Sequence, residues 1–212
     1  MSRERAGDIT FAENYNGPDP LLDAARTLSH EYGLTPVSQT TSATLTLLAR
    51  LLGPVAAVEV GTGAGTSTLA LLRGMPKAGI LTSIDTNSTA QSAARDLIEM
   101  AGIRSGRLRL MSGRAEDVLL RLAPGAYDLV FLDSDPTGVE RMIEPALRLL
   151  DSSGLLVIHQ TLLGGAVADP VDRTPRTRSA RTLLSGLAKR ADLEHVLLPI
   201  GQGLLTLQKT SA

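Results

Sequence analysis

Apolar residues near the N-terminus recur at the spacing of amphipathic helices. The first set repeats every three or four positions: Leu21, Leu22, Ala25, Leu28 and Tyr32. A second helix is predicted over residues 39–52, where Leu45, Leu48 and Leu52 share one face. Residues 1–17 are polar and lack this periodicity, so we expect a loose segment there, followed by a single domain over residues 18–212.

Beyond residue 52 the pattern changes to short, almost continuously apolar runs. The five runs cover residues 55–60, 79–85, 107–112, 127–133 and 154–159. Helical patterns lie between them and begin near Gly65, Asn87, Arg114 and Thr137. Strands that alternate with helices predict right-handed crossovers and a parallel sheet, and continuously apolar strands indicate that helices cover both faces of that sheet.

The C-terminal part predicts a different connection. After a helix around residues 177–190, Gly201, Gln202 and Gly203 join two strand-like runs with no room for a helix. This indicates a hairpin, so one strand must run antiparallel to its neighbours. The predicted fold is therefore α/β: a Rossmann-like, seven-stranded, mostly parallel sheet with helices on both faces, a C-terminal antiparallel hairpin and additional N-terminal helices.

Composition excludes several classes of protein and site. The chain has no cysteine, so disulfides and cysteine nucleophiles are excluded. A net charge of −1, with two Phe, three Tyr and no Trp, argues against a nucleic-acid partner. No apolar run reaches membrane-spanning length, and the N-terminus lacks the apolar core of a signal peptide, so we expect no membrane partner and a cytoplasmic protein.

The sequence VEVGTGAGTSTLAL, residues 58–71, predicts a strand, a glycine-rich turn and a helix of the kind that cradles nucleotide-like ligands. No lysine follows the glycines as a phosphate-binding loop requires, and Thr66 stands at the third glycine position of the dinucleotide fingerprint. Asp85 ends the next predicted strand, where a carboxylate can accept hydrogen bonds from ribose hydroxyls. The ligand is thus a ribonucleoside, and Thr66 together with the hairpin weakens an NAD(P) oxidoreductase interpretation.

An ordered set of motifs resembles one enzyme family. AVEVGTGAGTSTLAL, SIDTN, AGI, SGRAEDVLLRL, YDLVFLDSDP and GLLVIHQTLLGG follow one another as in class I S-adenosylmethionine-dependent methyltransferases. More narrowly, they resemble the catechol/caffeoyl-CoA type O-methyltransferases, and actinobacterial members within that family. The resemblance covers about residues 36–208, and it implies that the glycine turn holds S-adenosylmethionine.

The resemblance also implies a set of cofactor-binding residues. In this sequence they are Val37, Glu59, Gly61, Thr62, Gly63, Ser67, Asp85, Ala115 and Asp133. Within that set, Ser67 would bond the methionine carboxylate, Asp85 the ribose hydroxyls, and Ala115 would lie along the adenine. Asp133 would face both the cofactor and the methyl acceptor.

The family's metal ligands are changed in this chain. The best-studied members bind Mg²⁺ through an Asp after the fourth strand and an Asp-Asn pair after the fifth, and they place a lysine three residues after the first Asp. Asp133 is kept here, but His159 and Gln160 replace the pair and Pro136 replaces the lysine. Because imidazole is a poor Mg²⁺ ligand, we expect no metal site of the usual kind.

These changes leave several functions open. We favour an S-adenosylmethionine-dependent O-methyltransferase that acts on a small hydroxylated molecule, with Asp133 and His159 as catalytic residues and His159 as the general base. His159 could instead be a structural histidine, or could hold a softer metal together with Asp133 and Asp135. A non-catalytic S-adenosylmethionine-binding module is the alternative from another class of protein.

The resemblance also implies a homodimer joined through the N-terminal helices, as is usual in this family. Four arginines are interpreted as a solvated face, with an anion-binding role as the alternative: Arg173, Arg176, Arg178 and Arg181.

Overall fold

The computed structural model describes residues 3–210 and has a seven-stranded sheet at its centre. The strands are β1 (Ala56–Val60), β2 (Ile80–Asp85), β3 (Leu108–Ser112), β4 (Tyr127–Leu132), β5 (Leu150–His159), β6 (Leu193–Leu198) and β7 (Leu204–Lys209). Their order across the sheet is β3-β2-β1-β4-β5-β7-β6. The first five strands are parallel, and β7 pairs antiparallel with both β5 and β6. The predicted Rossmann-like fold with its terminal hairpin is confirmed.

Helices cover both faces of this sheet. They are α1 (Arg3–Asn14), α2 (Pro20–Glu31), α3 (Gln39–Leu52), α4 (Thr66–Gly74), α5 (Ser88–Met100), α6 (Ala115–Arg121), α7 (Pro136–Leu149) and α8 (Pro175–Leu187). Between residues 3 and 210, no helix is long and apolar enough to cross a membrane.

The two faces of the sheet bury separate apolar clusters. One face packs against α2, α3, α4 and α5, and the other against α6, α7 and α8. On α7, Val139, Met142 and Ile143 are buried at helical spacing, as the sequence predicts. Burying one side chain of this size stabilises the fold by about 1.5–3 kcal/mol, so these stripes fix which face of each helix meets the sheet.

The strand order places a cleft at the carboxyl ends of the central strands. The chain passes outward from β1 to β2 and β3, and then returns to place β4 on the other side of β1. At such a reversal the helices on either side diverge beyond the carboxyl ends of the strands, and ligands bind in the resulting crevice. In this fold the crevice lies beyond the ends of β1, β2 and β4.

The N-terminal segment is helical where the sequence predicted a loose segment. Glu13, near the end of α1, accepts hydrogen bonds from Ser38 Oγ at 2.9 Å and from Thr40 N at 3.1 Å, at the start of α3. Phe11 on the same helix is 72% exposed. Polar contacts rather than apolar burial therefore hold α1, which explains why hydrophobic periodicity gave no signal. The division of the chain at residue 17 stays a prediction.

Deletion of residues 1–17 should leave the fold intact and lower Tm by less than about 16 °C. The deletion removes two hydrogen bonds of Glu13 and two that the backbone oxygens of Ala12 and Gly17 accept. Each is expected to cost about 1 kcal/mol, and 1 kcal/mol corresponds to about 2–4 °C in a domain of this size. Thermal unfolding followed by circular dichroism measures the change, and Glu13→Ala in the full chain should reproduce about half of it. Failure of the truncated chain to fold would show that α1 is part of the core.

Candidate active site

A cleft of about 290 Å³ opens beyond the carboxyl ends of β1, β2 and β4. The residues that line it are Val60, Gly61, Ile84, Asp85, Thr86, Gly113, Arg114, Ala115, Glu116, Asp133, Ser134, Gly138 and Met142. Four of them were expected from the sequence to contact a cofactor: Gly61, Asp85, Ala115 and Asp133. The structure brings these four together, and their roles toward a ligand stay predictions.

The glycines of the turn after β1 are needed for close packing of the chain. Gly61 has φ +96°, and a Cβ atom there would lie 2.2 Å from the carbonyl oxygen of Asp133. Gly65 also has φ +96°, and its Cβ would lie 3.0 Å from Ala94 Cβ on α5. Only glycine adopts this conformation at low cost and leaves room for such neighbours. The turn therefore brings the end of β1 against the end of β4, with Asp133 at the junction.

Asp85 is held at the rim of the cleft from two sides. Its Oδ2 accepts a hydrogen bond from Gly63 N at 2.8 Å, and its Oδ1 accepts one from Asn87 N at 2.9 Å. A carboxylate offers about four lone-pair sites, so these two bonds leave acceptor capacity for a ligand. The carboxylate is thus fixed in orientation and still able to bind two hydroxyl groups.

The other expected cofactor residues do not line the cleft. Val37 is part of the apolar core, and Glu59, Thr62 and Ser67 are buried beneath the turn. Thr62 Oγ1 lies 2.6 Å from Ser83 Oγ and accepts a bond from Gln91 Nε2 at 3.0 Å. These polar side chains stabilise the turn from below, and any direct contact with a cofactor stays a prediction.

Glu59 is a fully buried carboxyl group in this polar layer. Its Oε2 accepts hydrogen bonds from Ser83 Oγ at 2.5 Å and Thr68 Oγ1 at 2.6 Å, while Oε1 has no partner among the described residues. Burial raises the pKa of Glu59 to about 7, against the lowering effect of the nearby Ser67, Ser83 and Thr68 hydroxyls, and the charge of Asp133 raises it further. The neutral form therefore persists well above the ordinary pH range of a glutamate.

The raised pKa of Glu59 predicts a loss of stability with rising pH. The unfolded chain releases this proton near pH 4.5 and the folded chain near pH 7, so the folded state becomes less stable between those values and levels off above them. Glu59→Gln cannot titrate at this position. Its free energy of unfolding, relative to that of the parent, should therefore rise by on the order of 3 kcal/mol between pH 4.5 and pH 7. Urea unfolding of both proteins at pH 4.5 and pH 8 measures this change, and an equal difference at both values would contradict the account.

Asp133 and His159 meet at the ends of two neighbouring parallel strands. Asp133 N donates to Val60 O at 2.8 Å, which fixes the backbone of the aspartate beyond β4. His159 Nδ1 lies 2.9 Å from Asp133 Oδ1. Because a carboxylate can only accept, the proton of the neutral imidazole lies on Nδ1 and the lone pair lies on Nε2. Nε2 is buried and has no partner among the described residues.

Two further side chains extend this pair. Gln160 Nε2 donates to the same Asp133 Oδ1 at 2.8 Å, and Arg176 donates to Gln160 Oε1 at 3.1 Å. Arg176 Nε also pairs with Asp135 Oδ2 at 2.7 Å. From the sequence, Gln160 is expected only to replace a metal ligand, and Arg176 to lie on a solvated face. Only the fold shows that they meet.

The oxygen atoms at this position do not fit a Mg²⁺ site. Asp133 Oδ1 accepts two N–H groups, Gln160 turns its amide nitrogen toward Asp133, and its oxygen is engaged by Arg176. Asp135 pairs with Arg176 instead of converging on Asp133, so the softer metal set also fails to form. Hard cations need several free oxygen ligands. Within the described part of the chain, no group of three acidic or histidine side chains could hold a metal.

The segment after His159 is ordered by a second arginine. Arg181 on α8 donates to the backbone oxygens of Val167 at 2.9 Å, Asp172 at 2.7 Å and Ala166 at 3.1 Å, and also to that of Asp169. Of the four arginines interpreted as a solvated face, Arg173, Arg176 and Arg178 are exposed as expected. Arg181 instead satisfies carbonyl groups that the irregular segment cannot pair internally.

The chain matches the protein family described as O-methyltransferase over residues 21–210. A Mycolicibacterium smegmatis protein named "Putative O-methyltransferase" is 42% identical over 205 residues, which is 97% of this chain and 98% of the relative. A protein from Mycobacterium leprae with the same type of name is 42% identical over 197 residues, covering 93% of this chain and 88% of its own.

Solved structures agree with this match. A protein from Corynebacterium glutamicum has a TM-score of 0.88 at 30% identity and covers 96% of this chain and 95% of its own. The O-methyltransferase TomG from Streptomyces achromogenes, involved in tomaymycin synthesis and solved in complex with SAM, has a TM-score of 0.84 at 27% identity, with both chains covered completely. The protein described here therefore belongs to the O-methyltransferase family and is a methyltransferase enzyme.

Proposed function

We propose that the enzyme transfers a methyl group from S-adenosylmethionine to a hydroxyl group of a small molecule, without a divalent metal. One observation carries this proposal: the cleft that holds Asp85 is continuous with Asp133, and Asp133 is bonded to His159. A nucleoside-binding carboxylate and an acid–base pair thus share one site. The family membership supports catalysis over the alternative of cofactor binding alone.

The cofactor half of the site follows from the lining of the cleft. Asp85 would accept hydrogen bonds from both ribose hydroxyls, Ala115 would pack along the adenine, and Gly61 would let the ligand approach the backbone closely. When bound, S-adenosylmethionine supplies an electrophilic methyl group on a positively charged sulfur. Asp133, at the end of the cleft, places a carboxylate near that charge.

The acceptor half rests on the orientation of His159. With its Nδ1 proton donated to Asp133, the imidazole keeps a lone pair on Nε2 that can take the proton of an acceptor hydroxyl. The imidazolium so formed would lie against the Asp133 carboxylate, which stabilises it. His159 is 4% exposed, so the part of the protein that covers Nε2 must move before an acceptor can reach it. The segment that follows contains two non-glycine residues with left-handed backbone, Gln160 at φ 59° and Leu163 at φ 50°, a strain that clusters at active sites.

Transfer should survive removal of divalent cations. Phenols and other hydroxylated small molecules would be screened with methyl-labelled S-adenosylmethionine, and the positive reactions repeated in EDTA. The expected rate with EDTA equals the rate without it, because Asp133 Oδ1 and Gln160 Oε1 are engaged by N–H donors and too few free oxygens remain for Mg²⁺. Activity lost in EDTA and restored by Mg²⁺ would contradict the metal-free part of the proposal, while a failure to bind labelled cofactor would contradict all of it.

We also propose that the enzyme is a cytoplasmic homodimer joined through its N-terminal helices. Four large apolar residues are exposed on α3 and at the α1 end of the chain: Phe11, Tyr15, Leu47 and Leu51. Exposed apolar side chains grouped on neighbouring helices support a protein–protein contact there. Light scattering of the purified protein would measure its mass in solution.

A further inference from the structure

We infer that Gln160 and Arg176 are positioning residues for methyl transfer, which hold the Asp133 carboxylate so that His159 keeps its proton on Nδ1. The inference rests on the proposed function of His159 as the base. Neither side chain lines the cleft, and both act through Asp133. They come from separate elements, since Gln160 directly follows β5 and Arg176 lies in the first turn of α8.

Gln160 is held in an unusual conformation that aims its side chain at Asp133. Its φ of 59° lies in the left-handed region, which is costly for a residue other than glycine. Residues keep such a backbone only where surrounding contacts determine it. Here those contacts are the two hydrogen bonds of its amide, one at each end, and the backbone hydrogen bonds that the next two residues donate to residues 202 and 203.

Arg176 and Asp133 hold the Gln160 amide from its two ends and favour the same orientation. A guanidinium has only donors, so its partner must be the amide oxygen, Oε1. The amide nitrogen, Nε2, is then left to donate to Asp133 Oδ1. Without Arg176 the oxygen end of the amide loses its partner, so the Gln160 side chain is held less firmly and its Nε2 can leave Asp133 Oδ1.

Asp135 fixes Arg176 in turn. It caps the start of α7 by accepting from Thr137 N at 3.0 Å and Thr137 Oγ1 at 2.7 Å, and it pairs with Arg176. Although partial burial opposes ionisation, the Thr137 hydrogen bonds and the Arg176 charge hold the pKa of Asp135 below its ordinary value. The carboxylate therefore stays charged, and a continuous chain of polar contacts runs from α7 through α8 to His159.

The hydrogen bond from Gln160 to Asp133 determines which nitrogen of His159 carries the proton. Asp133 Oδ1 accepts from both His159 Nδ1 and Gln160 Nε2, so its position is fixed by two donors. Loss of the Gln160 bond frees the carboxylate to rotate, and the imidazole proton is then no longer confined to Nδ1. Each molecule with the proton on Nε2 lacks the lone pair that the proposed transfer needs.

Nitrogen NMR of the full-length protein, labelled with ¹⁵N-histidine, tests the tautomer directly at one fixed pH. The chain has three histidines; His159→Gln identifies the signal of interest, and His30 and His195 serve as internal references. The parent should show His159 with its proton on Nδ1. Arg176→Ala and Gln160→Ala should both show a mixture of tautomers. Arg178→Ala is the matched control, since it removes an exposed arginine from the same helix that makes no side-chain hydrogen bond or ion pair with described residues.

The second measurement is the rate of methyl transfer, kcat, with an acceptor found in the screen with labelled cofactor. Misplacement of catalytic groups by about 1 Å can cost 100-fold, so kcat should fall roughly 10- to 100-fold in Arg176→Ala and Gln160→Ala. Their dissociation constants for S-adenosylmethionine should stay within about twofold of the parent value, because neither side chain lines the cleft. Arg178→Ala should match the parent in both quantities.

The outcomes separate this inference from the function on which it rests. An unchanged His159 tautomer in both Arg176→Ala and Gln160→Ala overturns the positioning role, even if the parent enzyme transfers methyl groups. Equal losses in Arg178→Ala also overturn it, because a general effect of charge would then be responsible. If the tautomer shifts as expected but His159→Gln retains full activity, the positioning of the ring stands and the proposed base does not.

Discussion

Asp85→Ala will weaken the binding of S-adenosylmethionine by about 10- to 100-fold. A hydrogen bond to a charged acceptor contributes roughly 1.5–3 kcal/mol, and each 1.4 kcal/mol is tenfold in affinity. Asp85 also holds Gly63 N at 2.8 Å and Asn87 N at 2.9 Å, so the variant loosens the turn on both sides of the ribose position. Titration calorimetry of the parent and the variant measures the two dissociation constants.

Two matched variants separate these contributions. Asp85→Asn keeps an oxygen for one backbone donor but removes the charge, so its affinity should fall between those of the parent and Asp85→Ala. Asp96→Ala removes an exposed carboxylate of the following helix, α5, and should bind as the parent does. If Asp85→Ala binds as tightly as Asp96→Ala, the carboxylate serves the turn alone and the ribose lies elsewhere.

His159→Gln will lower kcat by roughly 10²–10⁴, the range that general acid–base catalysis contributes. Glutamine keeps an N–H group that can bond to Asp133, but it has no basic lone pair to take the acceptor proton. The affinity for S-adenosylmethionine should be unchanged, because His159 does not line the cleft. Initial rates with a labelled cofactor, together with calorimetric titration, measure both effects.

The control for this variant is His195→Gln. His195 is exposed on β6, far along the sheet order from β4, and should tolerate the change with full activity. Parental kcat in His159→Gln would remove the histidine from the chemistry and leave orientation of the reactants as the source of the rate. A matching loss of cofactor affinity would instead assign His159 to the structure of the site.

The sequence predicted the elements whose signals are local. Helix α3 was predicted over residues 39–52 and observed as Gln39–Leu52, because its apolar stripe and its Ser38 cap coincide. Helix α8 begins at Pro175, two residues before the prediction, because Thr174 caps it by accepting from Thr177 N and Pro175 suits its first turn. Helix α1 escaped prediction because polar contacts to residues distant in sequence hold it in place.

In the site, too, the residues with local sequence signals could be predicted, and those that depend on contacts between distant residues could not. Asp85 and Gly61 could be predicted to lie at one cleft, because a glycine-rich turn and an acidic strand end are recognisable from their spacing alone. Gln160 and Arg176 could not, because they are 16 residues apart and meet only where β5 and the first turn of α8 converge. The hydroxyl partners of Glu59 were equally hidden, because Ser83 lies 24 residues away in sequence and meets Glu59 only where β1 pairs with β2.

A crystal structure of the protein soaked with S-adenosylhomocysteine would locate the cofactor site. We expect the nucleoside in the cleft beyond β1, β2 and β4, with both ribose hydroxyls within hydrogen-bonding distance of Asp85 and the adenine against Ala115. The sulfur should lie toward Asp133, on the side where His159 meets it. Density for the nucleoside at another surface, or an empty cleft at saturating concentration, would contradict this expectation.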